Sequence, residues 1–475
     1  MWWVLLLSLA VRGIALWSGQ ASLRDDPDAY ARLAVNWSQS GVFGIDAPDG
    51  SVQPTAYRPP LYPWLLSWLV TPTAAQGDSL PTLYVAALHL LLGLATVACT
   101  WSIARDLGLR YPALPALWVA CDPLLLRASQ LVMTETIAAC LTVLAWKLWL
   151  NLYGNRPEPA PQAGATEVAT TVGASPYATD TIGGLRRHGL GLVALGGVFG
   201  LSILARPTAA PWVALGVIGI AILGERGWRE RLSYAAVVGL VVAACLVPWV
   251  MRNMRQLGKP IWATTHGGYT LLLANNPLLY QHFKERGPAR NWDAEPFHAR
   301  WALRLDPGIS LSPAENDFWF APLRSSGQPA RQISELADDR LAYAAAFQTI
   351  SSQPLMFGLS SLYRISWLWA AWPNDGRTAV RLAIGLWYAL IFTSSLAGTW
   401  HWIRHFGVRP WWQRWWLPLM LMLSLTLLHA VFWSNMRMRA PASAVLAVAA
   451  GSMLLSGPGS RKQPQINDFR KAELP

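Results

Sequence analysis

MWWVLLLSLAVRGIALWSGQASLRDDPDAYARLA, residues 1–34, decides how the rest of the chain is read. Its first twenty residues are almost wholly apolar, about the length at which an α-helix crosses the hydrocarbon core of a bilayer. A few residues beyond that segment the chain places three carboxylates, Asp25, Asp26 and Asp28. A signal peptide is the alternative, but there is no basic n-region and no small-residue cleavage site, and equally long apolar segments follow. The segment therefore reads as a retained first helix, with Arg12 either snorkelling or facing a polar interior.

Working outward, the 475 residues are 53% hydrophobic and only 13% charged, against about 25% charged in soluble domains. That deficit makes a bilayer the natural solvent. The net charge of +12 is scattered over short hydrophilic gaps, whereas a nucleic-acid binder gathers its basic residues on one face; no nucleic-acid partner is expected. The 28 Trp fit interfacial belts. Cys99, Cys121, Cys140 and Cys245 all lie in apolar segments, where they pack as small side chains and imply no disulfide framework.

Apolar segments at 2–20, 82–104, 111–128, 131–150, 189–205, 207–224, 233–251, 379–398, 415–433 and 441–456 predict an α-helical polytopic membrane protein with roughly ten or more spans. With the N-terminus inside, the basic gaps fall on the cytoplasmic side: Arg105 and Arg110, then Arg186 and Arg187, then Arg226, Arg229 and Arg231, then Arg404, Arg409 and Arg414. The tail from Arg461 follows them, so both termini are expected to be cytoplasmic. Segments 21–81 and 252–378 then lie outside. The expected organisation is a membrane module over 1–251, an extracytoplasmic α or α/β domain over 252–378, further spans over 379–456 and a tail over 457–475. Within the membrane module, residues 151–188 form a cytoplasmic insert whose Ala, Thr, Pro and Gly content over 157–185 argues for disorder.

In RDDPDAYARLA (24–34), Asp26 reads as an N-cap, Pro27 as the first helical residue and Asp28 as a first-turn acid. That accounts for two acids and leaves the third. Further on, TAYRPPLYPWLL (55–66) sets Arg58 before a rigid Pro59-Pro60 pair. The order continues with SGVFG (40–44), CDPLLLRASQLVMTETIAA (121–139) carrying Glu135, LGGVFGLSILARPTA (195–209) ending at Arg206, VPWVMRNMRQLGKPIWATTHGGYTLLLANNP (247–277) and MRMRAP (436–441). Taken together these resemble the dolichyl-phosphate-mannose–protein mannosyltransferase family, including bacterial members such as the lipid A aminoarabinose transferase. The resemblance implies the membrane-embedded GT-C glycosyltransferase fold, a polyprenyl-phosphate sugar donor and inversion at the anomeric carbon. It also implies a multi-pass protein of the bacterial inner membrane with its active site on the extracytoplasmic side. Two departures stand out: the family's Asp-Glu is here Asp26-Pro27 preceded by Asp25, and the insert has no counterpart.

The residue types suit that chemistry. A hydroxyl attacking an anomeric carbon needs a carboxylate to take its proton, and the oxocarbenium character of the reaction favours nearby negative charge. A departing lipid phosphate needs cations, and arginine offers a planar fork that matches it. Asp26 is accordingly assigned as general base, the missing Glu's work either passing to Asp25 or Asp28 or being absent, and Glu135 as a second acid holding acceptor or a metal. No cofactor is required, and a divalent metal ion is allowed for. Arg58 would bind the phosphate, with Arg206, Arg437 and Arg439 as further candidates and Tyr30 and Tyr57 completing the substrate-binding set. Glu135 also reads as a helix-start acid, Arg206 as an interfacial anchor, and His266 and His298 as loop histidines. Asn36-Trp37-Ser38 matches a glycosylation sequon that is common by chance. A transporter or lipid-linked sugar flippase is the alternative, but it would place its charges at mid-span and show repeats.

Overall fold

The computed structural model describes residues 1–47, 49–71, 80–152, 181–223, 227–288, 292–303, 334–374 and 376–455. Of the insert expected to be disordered over 157–185, residues 157–180 lie outside the described residues, as does the tail from 457, while 181–185 already belong to helix Thr181–Ala205. Helices dominate. Among the described residues four are long and apolar enough to cross a membrane: Thr82–Asp106, Trp228–Leu257, Thr378–Phe406 and Val408–Val431. Shorter apolar helices lie at Trp2–Ser18, Gly189–Ala205 and within Pro207–Ile222. Their outward faces carry Leu91, Leu240, Leu386 and Leu396, exposed as suits a lipid-facing surface. Trp2 and Trp17, each 77% exposed, sit at opposite ends of the first helix, where an indole fits both water and acyl chains.

Several expected spans are interrupted instead. The segment 111–128 is two helices, Ala113–Cys121 and Pro123–Ser129, because Asp122 stops the first and caps the second by accepting from Leu125 N at 2.9 Å. Pro123 then occupies the first position of the new helix, which tolerates its missing N–H. The expected span 131–150 becomes a helix over Glu135–Leu152. The expected span 441–456 is shorter still: a 3₁₀ turn over Met436–Ala442 leads into Ser443–Gly451, a nine-residue helix buried at every position. At about 1.5 Å per residue it is too short to cross a bilayer and serves as a core element.

Residues 252–378 do not stand apart from the bundle. Helix Gly267–Ala274 packs on helix Glu335–Ser352 through Leu271, Leu272, Ala342, Ala345 and Ala346, with Phe297 and Trp301 joining from Glu295–Leu303. Ser334 caps the long helix by accepting from Ala337 N. The chain then returns to the bundle in Pro354–Leu368, earlier than the boundary at 378. There the buried Arg364 donates to Ala274 O at 2.6 Å and Ala430 O at 2.7 Å. The segment between Trp2–Ser18 and Thr82–Asp106 also holds a two-stranded antiparallel hairpin, Gly44–Asp46 with Val52–Pro54, in register Gly44 to Pro54. Asn36 of the sequon is buried and donates to Gly44 O at 3.0 Å, so its side chain is committed to that hairpin.

The two ends of the bundle collect different residues. At one end Leu109 bridges Leu455, Trp402 Nε1 donates to Leu107 O, Trp146 Nε1 to Arg414 O and Trp149 Nε1 to Gln413 O. At the other end the loops after the first helix, after Ala205 and after Leu257 meet the start of Glu135–Leu152. The gap after Thr82–Asp106 and the start of Val408–Val431 thus meet the helices at this end.

Candidate active site

A cavity of about 890 Å³ opens where those loops converge. The first contribution is a turn. Asp26 O accepts from Ala29 N at 3.1 Å, and helix Tyr30–Ser40 starts only after it, so Pro27 and Asp28 lie in the turn and not in the helix. Ala29 closes it with φ of 60° and ψ of 21°, a left-handed conformation that disfavours a side chain. Asp28 and Tyr30 line the cavity, and Asp26 is not among its lining residues. Asp26 Oδ2 accepts from Arg32 N at 2.8 Å, while Oδ1 is buried without a hydrogen-bond partner. Burial raises the Asp26 pKa, opposed by the amides at the start of the helix. Asp25 is exposed and also outside the lining.

Arg58 holds the turn from across the cavity. Its Nε donates to Asp28 O at 2.9 Å and its Nη2 to Asp28 Oδ1 at 2.6 Å and Tyr57 OH at 3.2 Å. The guanidinium lies 4.3 Å from the Tyr57 ring centroid and 5.6 Å from that of Tyr30. Pro59 and Pro60 fix the backbone that presents it. In this structure the arginine expected to hold phosphate is paired with a carboxylate of the first outer loop.

A second charge cluster faces the same space. Glu135, 3% exposed, lies between Arg437 Nε at 3.2 Å and Arg206 Nη1 at 3.6 Å. Its Oε2 is buried without a hydrogen bond, as are those two guanidinium nitrogens. Each arginine is steadied by a thioether: Arg206 Nη2 donates to Met438 Sδ at 3.1 Å and Arg437 Nη1 to Met133 Sδ at 2.7 Å. Tyr30 joins the two clusters. Its hydroxyl is pushed up to about 12 by burial first, with Arg58, Asp28, Arg206 and Glu135 all acting on it. Arg439 takes no part: it is buried, donates to Leu368 O at 2.8 Å, lies over the Tyr388 ring and is absent from the lining. The backbone carbonyls it satisfies make it a structural residue, which corrects its assignment to the substrate set.

Further lining comes from the segment after Leu257 and from helix Glu335–Ser352. His266 meets the Tyr57 ring at 4.5 Å and stacks on Tyr269 at 4.9 Å, and Tyr269 OH is 2.7 Å from His298 Nδ1. Both histidines line the cavity, His266 from the loop before Gly267–Ala274 and His298 as an exposed residue of Glu295–Leu303. Burial, assisted by Arg58, lowers the His266 pKa to about 3, so the ring is neutral. Glu335, Asp338 and Asp339 add carboxylates from one helical face, and their i, i+3, i+4 spacing was visible in SELADDRLAY (334–343). Glu335 accepts from Thr55 Oγ1 at 2.5 Å, Ala56 N at 3.0 Å and Thr265 Oγ1, tying that helix to the Arg58 loop. Asp339 accepts from Gly268 N at 2.7 Å. Among the described residues no group of three or more His, Cys, Asp or Glu stands close enough to hold a metal ion.

No protein-family model matches the chain, and no curated protein matches it. Among solved structures it is similar to the archaeal oligosaccharyltransferase AglB from Archaeoglobus fulgidus, solved with an inhibitory peptide and a dolichol-phosphate. That similarity has 16% identity and a TM-score of 0.45, over 94% of this chain and 50% of that one. It is also similar to ArnT from Cupriavidus metallidurans bound to undecaprenyl phosphate, at 16% identity and a TM-score of 0.38, over 95% of this chain and 77% of that one. The chain spans about half the length of the oligosaccharyltransferase it matches. Likenesses of this degree assign no activity.

Proposed function

We propose that this chain is a membrane glycosyltransferase of the GT-C type that moves a sugar from a polyprenyl-phosphate donor to an acceptor hydroxyl on the extracytoplasmic side of a bacterial inner membrane. The observation that carries the reading is the Glu135 cluster. Two guanidiniums flank one buried carboxylate on the cavity wall, so one positive charge is uncompensated there. Uncompensated buried charge is costly, and a singly charged phosphodiester relieves it. The site also needs a carboxylate facing the same space, and Asp28 supplies one. In transfer the acceptor oxygen bonds to the anomeric carbon as the bond from that carbon to the phosphate oxygen breaks, the electron pair leaving on the phosphate. Arg206, Arg437 and Arg58 offset the charge that develops, the role for which preorganised donors are most effective. The acceptor is a hydroxyl of protein, lipid or a growing glycan.

A flippase or transporter would place such charges midway along its spans, whereas these converge at one end of the bundle. Donor binding tests the reading. Purified protein in nanodiscs should bind a polyprenyl-phosphate sugar, and Arg437→Ala and Arg206→Ala should each weaken binding by about 2–5 kcal/mol, the usual cost of removing one partner from a desolvated charge pair. Unchanged affinity in both variants would overturn the phosphate assignment.

A further inference from the structure

We infer that Asp28 is the group that takes the acceptor's proton, and that Arg58 both aims it and links it to the departing phosphate. The inference rests on the transferase reading and selects, from three neighbouring acids, the one that presents an oxygen to the cavity. Asp25 points elsewhere. Asp26 Oδ2 is held by the first amides of its helix and Oδ1 is buried off the cavity. Asp28 differs in every respect. Its Oδ1 is fixed by Arg58 Nη2 at 2.6 Å and its backbone carbonyl by Arg58 Nε at 2.9 Å. Its Oδ2 carries no hydrogen bond among the described residues and its side chain is 29% exposed, on the cavity side. One oxygen is thus anchored and the other offered, the arrangement a positioned base needs.

The strained backbone supports the same assignment. Ala29 at φ of 60° is the residue that turns the chain so that Asp28 faces inward while the helix still begins at Tyr30. Sparsely populated backbone conformations persist where the surroundings over-determine them, and Arg58 grips the preceding residue at two atoms.

The proton balance is simple. As the acceptor oxygen bonds to the anomeric carbon, its O–H proton passes to Asp28 Oδ2, and the bonding pair to the phosphate leaves with the polyprenyl phosphate. The neutral carboxylic acid then returns its proton to water. The phosphate gains a negative charge in the same step, drawing Arg58 toward it and away from Asp28. Arg58 is therefore shared between base and leaving group, and the two compete for it. Competition has a measurable sign: removing the Asp28 charge should strengthen binding of a phosphate ligand while it abolishes turnover.

The experiment compares wild type, Asp28→Asn, Asp28→Glu and Asp26→Asn, each purified in nanodiscs. It measures turnover with a polyprenyl-phosphate sugar and affinity for that donor and for the bare polyprenyl phosphate. Asp28→Asn should lower kcat by about 10²–10⁴-fold with affinity for polyprenyl phosphate equal to or tighter than wild type. Asp28→Glu, which retains a carboxylate, should recover part of the rate. Asp26→Asn, the competing assignment, should lose clearly less rate than Asp28→Asn. Turnover of Asp28→Asn within threefold of wild type overturns the inference. A loss of phosphate affinity that parallels the loss of rate also overturns it, since Asp28 would then only position Arg58. Loss of transfer in Asp26→Asn with Asp28→Asn active would return the base to Asp26. If wild type itself transfers no sugar, the transferase reading fails before any variant is compared.

Discussion

Ala29 shows how much a single backbone conformation decides. A left-handed alanine costs about 1–2 kcal/mol, and a β-branched residue there costs more because its Cγ atoms crowd the carbonyl. Ala29→Asn, which tolerates this region, should hold stability, whereas Ala29→Val should lower it by a further ~1–2 kcal/mol. Thermal unfolding in detergent measures both, and equal midpoints would mean the turn relaxes. His266 makes a second prediction at this scale. Its pKa is lowered to about 3, by desolvation first, from an ordinary 6.5. Above about pH 6.5 the ring is neutral in both folded and unfolded chains and adds no slope. As pH falls from 6.5 toward 3 the unfolded chain binds a proton that the folded chain refuses, so stability declines with acidification. His266→Gln should flatten that decline between pH 6.5 and pH 4, read as the thermal midpoint against pH. A slope unchanged by the substitution would place the titrating group elsewhere.

At the scale of elements, the interrupted helices explain what the apolar pattern left out. The pattern across 111–128 is continuous, and only Asp122-Pro123 reveals the break. Asp122 is buried with Tyr388 OH donating to it at 2.9 Å. Nearby, Arg12 donates to Val119 O at 2.9 Å, and Arg12 and Arg439 both act electrostatically on the Asp122 carboxylate. Of the two readings for Arg12, the interior one holds. Gly93 makes room for it: a Cβ there would come within 2.7 Å of Arg12 Nη1. Asp122→Leu removes the cap of Pro123–Ser129 and the acceptor of the Tyr388 hydroxyl, and should destabilise the bundle by about 2–4 kcal/mol. Chemical denaturation of the purified variant measures it, and a loss under ~1 kcal/mol would mean water already screens the cluster. The tether made by Glu335 belongs here too. Glu335→Ala should speed hydrogen exchange of the Ala56 amide without unfolding the helix over Glu335–Ser352, and unchanged exchange would deny that the tether orders the Arg58 loop.

The same elements show what was legible. That Glu135, Arg206, Arg58 and Arg437 border one cavity could be read from motif order, because each motif sits at a span end. The choice between Asp26 and Asp28 could not. It depends on whether the helix begins at Pro27 or at Tyr30, and capping rules allow either. Nor could the role of Arg439: its neighbour Arg437, two residues away, points into the cavity while Arg439 points into the core. The acids of the helix over Glu335–Ser352 were visible as a face, but nothing local told which loop that face would meet.

At the scale of the whole molecule, the proposed orientation puts the cavity outside and the gap carrying Arg409 inside. In a background lacking Cys99, Cys121, Cys140 and Cys245, a cysteine at the exposed Glu285 should react with an impermeant reagent from outside. A cysteine at the exposed Arg409 should react only after the inner membrane is opened. The reverse pattern would invert the molecule. The central claim, however, is bond cleavage in the cavity, and stoichiometry in proteoliposomes tests it most directly. With a donor labelled in both sugar and lipid and an acceptor supplied, a transferase releases one free polyprenyl phosphate for every sugar moved, and Glu135→Gln lowers both together. Labelled donor that crosses the bilayer intact, with no free polyprenyl phosphate formed, would contradict the account and make the chain a carrier of lipid-linked sugar.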